Sequence, residues 1–403
     1  MKQAIALPQR LQNYAGRILD VDAHEMMPVQ AWADTFGTEV QPLVDAWTAN
    51  GLGEASHGNH PNIPDYAGDI LPINANIATV KGCRSPGAGD PVRRLEVMDA
   101  MGIDRQLMFP GMGGYGLALL MNESNHAFLS TITGDRAGIA KRCIDLYNEW
   151  AVGIAQRSNR IRPAAPVYGN TVEELITYAK SLIDRGIKAI WLASPVPPAN
   201  ISPAHPDLDR FWAMLAEANC AITLHIGTEG DRLFATTAWR DAPAFEGHIA
   251  MSEFHTDPWS LSVVHLPCQN FLATMITGGV FVRHPKLRVG VIELGAYWVG
   301  PLAETLDLWH VNLGALNKND NKLPDLPSTY IRSNVRVSAF YFEDVAKYIQ
   351  RYQLEDVVCF ATDYPHVEGG KDTLNLMYSN LQHLGPNILD KFFVNNGAWL
   401  LPD

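Results

Sequence analysis

Asp20, Asp22 and His24 alternate with Val21 and Ala23 in the segment ILDVDAHE. On an extended strand alternate side chains share a face, so the three polar groups would stand together on the interior side. Buried there, they need something that offsets the loss of water. A divalent cation does this, and a closed hydrogen-bonded cluster is the alternative. A second apolar run, AITLHIG, ends in the single imidazole of His225, either a ligand or a structural core histidine. A third run, VVCFATDYPH, places Asp363 just past its last apolar residues, either as a ligand or as the cap of a following helix. Two imidazoles and two carboxylates form a mixed nitrogen and oxygen set. It suits Zn2+ first, with Mn2+ and Fe2+ as alternatives, and leaves a position for water or substrate. His366, close behind Asp363, is the candidate for orienting a ligand.

These donors meet only if the segments that carry them converge. Eight short runs rich in Ile, Val and Leu read as buried parallel strands: Ile18 to His24, Ile103 to Phe109, Ile161 to Val167, Ile187 to Leu192, Ala221 to Ile226, Leu287 to Ile292, Val335 to Ser338 and Val357 to Thr362. Between them, Arg136 to Arg157, Val172 to Arg185, Leu208 to Asn219, Leu261 to Gly278, Tyr297 to Leu313 and Phe342 to Tyr352 carry apolar residues at helical spacing. Strand then helix, repeated eight times, favours a closed (β/α)8 barrel over an open doubly wound sheet, and a barrel brings the ends of strands one, five and eight to one mouth. Residues 28–90 and 228–258 break the spacing and read as long inserted loops after strands one and five, of the kind that bind substrate. The expectation is one domain over residues 1–403 carrying those two inserts.

Composition narrows the function. With 47% hydrophobic and 18% charged residues the chain can build a large core. A net charge of -12 without any Lys/Arg-rich block argues against nucleic acid or an anionic membrane as partner, and leaves a small molecule. No stretch reaches the roughly 20 apolar residues of a membrane span and the N-terminus lacks an apolar signal core, so the expected location is cytoplasmic. The five cysteines, Cys83, Cys143, Cys220, Cys268 and Cys359, are scattered without a C-x-x-C pair, which fits reduced core thiols.

In that order, ILDVDAHEMMP, RLEVMDAMGIDRQLMFP, LYNEW with RIRPAAPV, ITLHIG, GGVFVRHPKLRVGVIELGAYWV and VVCFATDYPH resemble the amidohydrolase-related branch of the amidohydrolase superfamily, the group of aminocarboxymuconate-semialdehyde decarboxylase and the resorcylate-type decarboxylases. The resemblance implies a distorted (β/α)8 barrel with one divalent metal on Asp22, His24, His225 and Asp363, and a homodimer as the default assembly. Two positions depart from the pattern. Asp22 stands where many members have His and some decarboxylases Glu, and Glu293 stands at the end of strand six where decarboxylases usually have a proton-transferring His. Glu293 is then an acid or base raised by burial, a further metal-side group, or the partner of Arg336.

The leading expectation is a metal-dependent hydrolase of a small ring-derived or carboxylated substrate. It would work through a metal-activated water, with Asp363 accepting its proton and Glu293 and His366 as the other catalytic groups. A metal-dependent non-oxidative decarboxylase of an aromatic or muconate-type acid is the alternative, and a non-catalytic ligand-binding barrel is the third reading. GMGGYG at 111–116 fits a dinucleotide fingerprint in form only, since the surrounding βα unit and its acidic residue are missing, and it reads as a flexible substrate loop. His57, His60, His248, His255 and His265 are weighed as pocket residues against surface or packing roles, and Trp191 and Tyr364 as pocket lining against core.

Overall fold

All eight apolar runs are strands of one parallel sheet. They are β1 (Ile18–Asp20), β2 (Ile103–Met108), β3 (Ile161–Pro166), β4 (Ala189–Trp191), β5 (Ala221–His225), β6 (Val289–Ile292), β7 (Val335–Ser338) and β8 (Val358–Cys359), neighbours in that order around the sheet. The computed structural model describes residues 7–49, 69–121, 127–228, 239, 241–246, 249–250, 254–255, 257–316 and 323–403. The regular ladders are shorter than the apolar runs at β1, β4 and β8, and the ends of β1 and β8 continue as isolated bridges, Ala23 with Tyr364 and His24 with Phe109.

The sheet closes into a barrel at the seam between β8 and β1. There the Val21 N–H donates to Phe360 O (3.2 Å), the Asp363 N–H to Asp22 O (2.9 Å) and the His24 N–H to Tyr364 O (2.8 Å). On its other side the end of β1 pairs with β2, the Phe109 N–H donating to Ala23 O (2.7 Å) and the Glu25 N–H to Phe109 O (2.8 Å). The backbone that closes the barrel thus also carries Asp22, His24 and Asp363.

Most of the periodic segments are helices near their expected limits. Arg136–Arg157, Val172–Ile183, Asp209–Glu217, Val299–Leu316 and Val345–Tyr352 follow β2, β3, β4, β6 and β7. Thr171 caps the second of these by accepting from the Glu174 N–H (3.2 Å). Leu261 to Gly278 departs from expectation. It divides into Pro258–Val263 and Leu266–Thr277, the second with Pro in its first turn, where a missing N–H costs nothing.

GMGGYG is helical rather than loop over Met112–Leu120. Its glycines serve close packing. A Cβ on Gly113 would lie 2.5 Å from the Tyr147 ring, and one on Gly111 2.8 Å from Glu25 O. The first insert is also more ordered than a loop, since Trp32–Phe36 and Gln41–Ala49 are helices that bury Trp32, Phe36, Leu43 and Trp47. The described part of the second holds a short antiparallel pairing of Ile249–Ala250 with Phe254–His255.

Leu107, Ala164, Ala189, Ala221, Ile292 and Cys359 fill the barrel interior with Leu400 and Leu401 from the C-terminus. That terminus closes the end opposite the mouth, where Arg105 donates to Leu401 O (2.7 Å) and the Arg336 guanidinium lies 4.0 Å over the Trp399 ring. The five cysteines are buried and free, and burial lifts the Cys359 thiol to about 12. Among the described residues no helix is long and apolar enough to cross a membrane.

Candidate metal centre

At the barrel mouth the polar ends of β1, β5, β6 and β8 converge. Asp22 and His24 leave β1 with 2% and 4% of their surface exposed. His24 Nε2 lies 3.4 Å from Asp22 Oδ1, 3.3 Å from Asp363 Oδ1 and 3.5 Å from Glu293 Oε2. His225 ends β5, and its Nδ1 is 2.8 Å from Ile226 O, so the proton sits on Nδ1 and the Nε2 lone pair faces the centre. That Nε2 is 2.9 Å from Glu293 Oε2 and 3.7 Å from Asp22 Oδ1. His366 stacks on His24 with ring centroids 3.7 Å apart, its Nδ1 3.0 Å from Asp363 Oδ1 and 3.6 Å from Glu293 Oε1.

Glu293 and Asp363 are delivered by strained backbone. Their φ values are +57° and +52°, a region that non-glycine residues seldom occupy. The strain is held in place: the Glu293 N–H donates to Ser338 Oγ on β7 (2.8 Å) and the Asp363 N–H to Asp22 O. Such strain persists only where the surroundings over-determine it, and it gathers at functional sites.

A cation fits this cage. Asp22 Oδ1, His24 Nε2, His225 Nε2, Glu293 Oε2, both Asp363 carboxylate oxygens and His366 Nδ1 are all buried without a hydrogen bond. Buried acceptors in that number are costly unless a shared positive charge satisfies them. Two overlapping quartets have donor atoms mutually within 4.8 Å: Asp22, His24, His225 and Glu293, and His24, Glu293, Asp363 and His366. The electrostatics make the same demand. Burial alone would lower His225, yet the charges of Glu293 and Asp22 push it up to about 9. Burial would raise Glu293, but His225, His24 and His366 hold it well below the usual carboxylate range.

The structure therefore brings together Asp22, His24, His225, Asp363, Glu293 and His366, with Glu293 rather than Asp363 completing the quartet that holds both Asp22 and His225. Glu293 does not pair with Arg336, which donates instead to Arg332 O and Val335 O at the far end of the barrel. Trp191 lies edge-on to His225 with centroids 5.2 Å apart. Tyr364 supports the fold, its hydroxyl donating to Pro86 O (2.7 Å). His265 packs with other partners, its Nδ1 3.1 Å from the Tyr297 hydroxyl and its ring stacked on Trp298. His57, His60, His248 and the His255 side chain lie outside the described residues.

Sequence reasoning missed Phe109, whose ring sits 3.9 Å from that of His225. Its place as the last residue of the second apolar run was the available signal. It also missed Glu25, whose carboxylate accepts from the Met27 N–H (2.5 Å) and the Gly111 N–H (3.0 Å) and ties the β1 end to the start of the helix Met112–Leu120 after β2.

Fold and cage together define a (β/α)8 barrel with a carboxylate-rich centre able to hold a metal. Residues 129–402 match the family model described as Amidohydrolase, and the chain belongs to that family. No curated protein sequence matches it. Among solved structures, an amidohydrolase of Mycobacterium avium subsp. paratuberculosis K-10 superposes with a TM-score of 0.66 at 20% identity, covering 96% of this chain and 99% of that one. The 5-carboxyvanillate decarboxylase of Sphingomonas paucimobilis gives 0.57 at 16% identity, covering 96% and 98%. That of Novosphingobium aromaticivorans DSM 12444, solved with manganese and 3-methoxy-4-hydroxy-5-nitrobenzoic acid, gives 0.55 at 17%, covering 96% and 97%.

Proposed function

We propose that the chain is a metal-dependent, non-oxidative decarboxylase of an aromatic acid. In this reading Asp22, His24, His225 and Glu293 hold one divalent ion, and Asp363 and His366 manage the proton beside it. The observation that carries the reading is the aromatic wall of the centre. Phe109 lies 3.9 Å from the His225 ring and edge-on to Trp191, whose indole N–H is buried without a partner. A planar ring fits against such a wall, and an unpaired buried donor is matched by an anionic oxygen on that ring. The manganese and nitrobenzoic acid bound by the Novosphingobium decarboxylase, and the 2,6-dihydroxybenzoate bound by another structural neighbour, support the same substrate class.

When bound, the ion supplies positive charge that draws the substrate's carboxylate or phenolate to the centre and stabilises charge developing on the ring. The remaining work belongs to the side chains. His366 Nδ1 lies 3.0 Å from Asp363 Oδ1, so a proton carried by the His366 imidazole is within reach of both groups. As the bond between ring carbon and carboxylate breaks, its electron pair stays on carbon, CO2 departs, and the pair delivers that proton to form the C–H bond. Phe109 and Trp191 exclude water from the ring face. The two carboxylates that would hold the ion with two imidazoles, and the third carboxylate of Asp363 beside them, move the expected ion from Zn2+ toward Mn2+. Residues 1–403 act as one unit in this reading, with inserts 28–90 and 228–258 choosing the substrate.

Hydrolysis is the second reading. It is favoured by Glu293, a carboxylate among imidazoles that can take a proton from water. The two separate when Mn2+-loaded protein is given hydroxybenzoates in D2O, and esters and lactones in H218O. Decarboxylation yields CO2 and deuterium on the ring carbon. Failure to release CO2, together with 18O in a new product carboxylate, would replace it with hydrolysis.

A further inference from the structure

Beneath the donors lies a second buried polar set, centred on Arg94. Asp90 caps the helix Pro91–Met101 by accepting from the Val92 and Arg93 N–H groups, and this sets Arg94 in its first turn, wholly buried. The Arg94 guanidinium donates to Gly87 O (2.7 Å), to Ala88 O (3.3 Å), to the carbonyl of His24 (2.6 Å) and to Gln106 Oε1 (3.1 Å). Gly87 has φ +69°, and a Cβ there would meet the Arg94 backbone at 2.8 Å, so only glycine allows this approach.

Gln106, inside β2, passes the contact on. A guanidinium cannot accept, so the amide oxygen must face Arg94 and the amide N–H2 must face away. It donates to Asp20 Oδ2 (2.7 Å). Asp20 also receives the Thr362 hydroxyl (2.6 Å), the Thr362 N–H (2.9 Å) and the Asp22 N–H (3.2 Å).

This chain of contacts ends on the backbone of two donors and of the residue before a third. It holds the carbonyl of His24, the N–H of Asp22 and the N–H of the residue before Asp363, without reaching any of their metal-facing atoms. It does so across the seam where β1 and β8 meet outside the regular ladders, through a bridge between Ala23 and Tyr364. Packing alone does not require it, since apolar residues of similar volume commonly replace buried polar groups without loss of stability. Directed hydrogen bonds add a fixed register between the two strand ends.

We propose that Arg94, Gln106, Asp20 and Thr362 are positioning residues that set the spacing of the β1 and β8 donors for the metal. The inference rests on the reading of Asp22, His24 and Asp363 as metal-side groups. It concerns affinity for the ion rather than the reaction that follows.

The test titrates metal-free full-length protein with Mn2+ by calorimetry and by electron paramagnetic resonance. Gln106→Leu removes the relay, and isosteric Thr362→Val removes the hydroxyl that links Asp20 to β8. Asn334→Ala is the control: Asn334 donates to Pro285 O and Leu287 O at the opposite end of the barrel. Groups that orient metal ligands typically govern affinity by about 10- to 100-fold. Q106L is expected to raise the Mn2+ Kd within that range and to alter the bound-Mn2+ spectrum, T362V to act in the same direction, and N334A to lower the melting temperature with Kd unchanged. Wild-type Kd and spectrum in Q106L and T362V, with lowered melting temperatures, would reduce the network to a fold element. Should Q106L not fold, T362V decides. A wild-type protein that takes up no Mn2+ would overturn the metal reading itself, and this inference with it.

Discussion

Replacing Glu293 by Gln keeps the side-chain shape and leaves untouched the backbone N–H bond to Ser338, yet removes a charge from the middle of the cage. Glu293 Oε2 is 2.9 Å from His225 Nε2 and 3.5 Å from His24 Nε2, so a cation shared by the imidazoles sits beside this carboxylate. A pair of unit charges about 4 Å apart is worth about 4 kcal/mol at an effective dielectric constant of about 20. The amide oxygen recovers part of that, leaving a loss of about 3 kcal/mol, or roughly a hundredfold in metal Kd. At metal concentrations of about 100 times the wild-type Kd, bound metal stabilises the wild type by about 2.7 kcal/mol and the variant by only about 0.4 kcal/mol. Over 403 residues, with an unfolding entropy of about 2.1 cal/mol/K per residue, that is a metal-induced rise in Tm of about 3 °C against less than about 1 °C. Scanning calorimetry with and without Mn2+, paired with titration, reads both quantities. An E293Q protein with wild-type Kd and the full rise would refute the place given to Glu293.

Other expectations follow from single contacts. Burial holds His265 down to about 4 from 6.5, so between those values the unfolded chain binds the proton better. Its contribution to stability is full above about pH 6.5 and is lost as pH falls toward 4, by up to about 3 kcal/mol. In acid melts of His265→Asn, this part of the pH dependence should vanish, and an unchanged profile would contradict it. Gly113→Ala, which in an open helix would gain about 1 kcal/mol, should instead destabilise by about 1–3 kcal/mol, because the new methyl meets the Tyr147 ring; urea unfolding tells gain from loss. Trp191→Phe keeps the aromatic wall but removes the indole donor. It should raise KM for the aromatic acid about tenfold while kcat and Tm change little, whereas unchanged KM would remove Trp191 from the substrate contacts.

Much of the barrel was legible because parallel strands covered on both faces are near-continuous apolar runs, and every such run became a strand. The site was legible where chemistry interrupts apolar sequence. His225, Asp363 and the Asp22-x-His24 pair stand out because polar groups at the ends of buried strands need a reason. Glu293 was visible as a departure, but its placement among the imidazoles was not, since Arg336 was an equally good partner until the barrel set the two at opposite ends. Arg94 and Gln106 were illegible: one hides in an ordinary amphipathic helix, and their partnership depends on a contact between that helix and the inside of β2. GMGGYG misled because glycine reports freedom and close approach alike, and here Tyr147 and Glu25 supply the close approach. Trp32 and Trp47 were lost within a segment whose Gly, Pro and Asn content conceals two short packed helices.

The most direct test of the account is crystallographic. Anomalous diffraction from Mn2+-soaked crystals, recorded on both sides of the manganese edge, should give a peak bounded by His24 Nε2, His225 Nε2, Asp22 Oδ1 and Glu293 Oε2, the four donors that already lie within 4.8 Å of one another. The account predicts that peak at full occupancy in the wild type and at reduced occupancy in E293Q. A wild-type map with no anomalous density among these residues, or with the ion bound elsewhere, would contradict it.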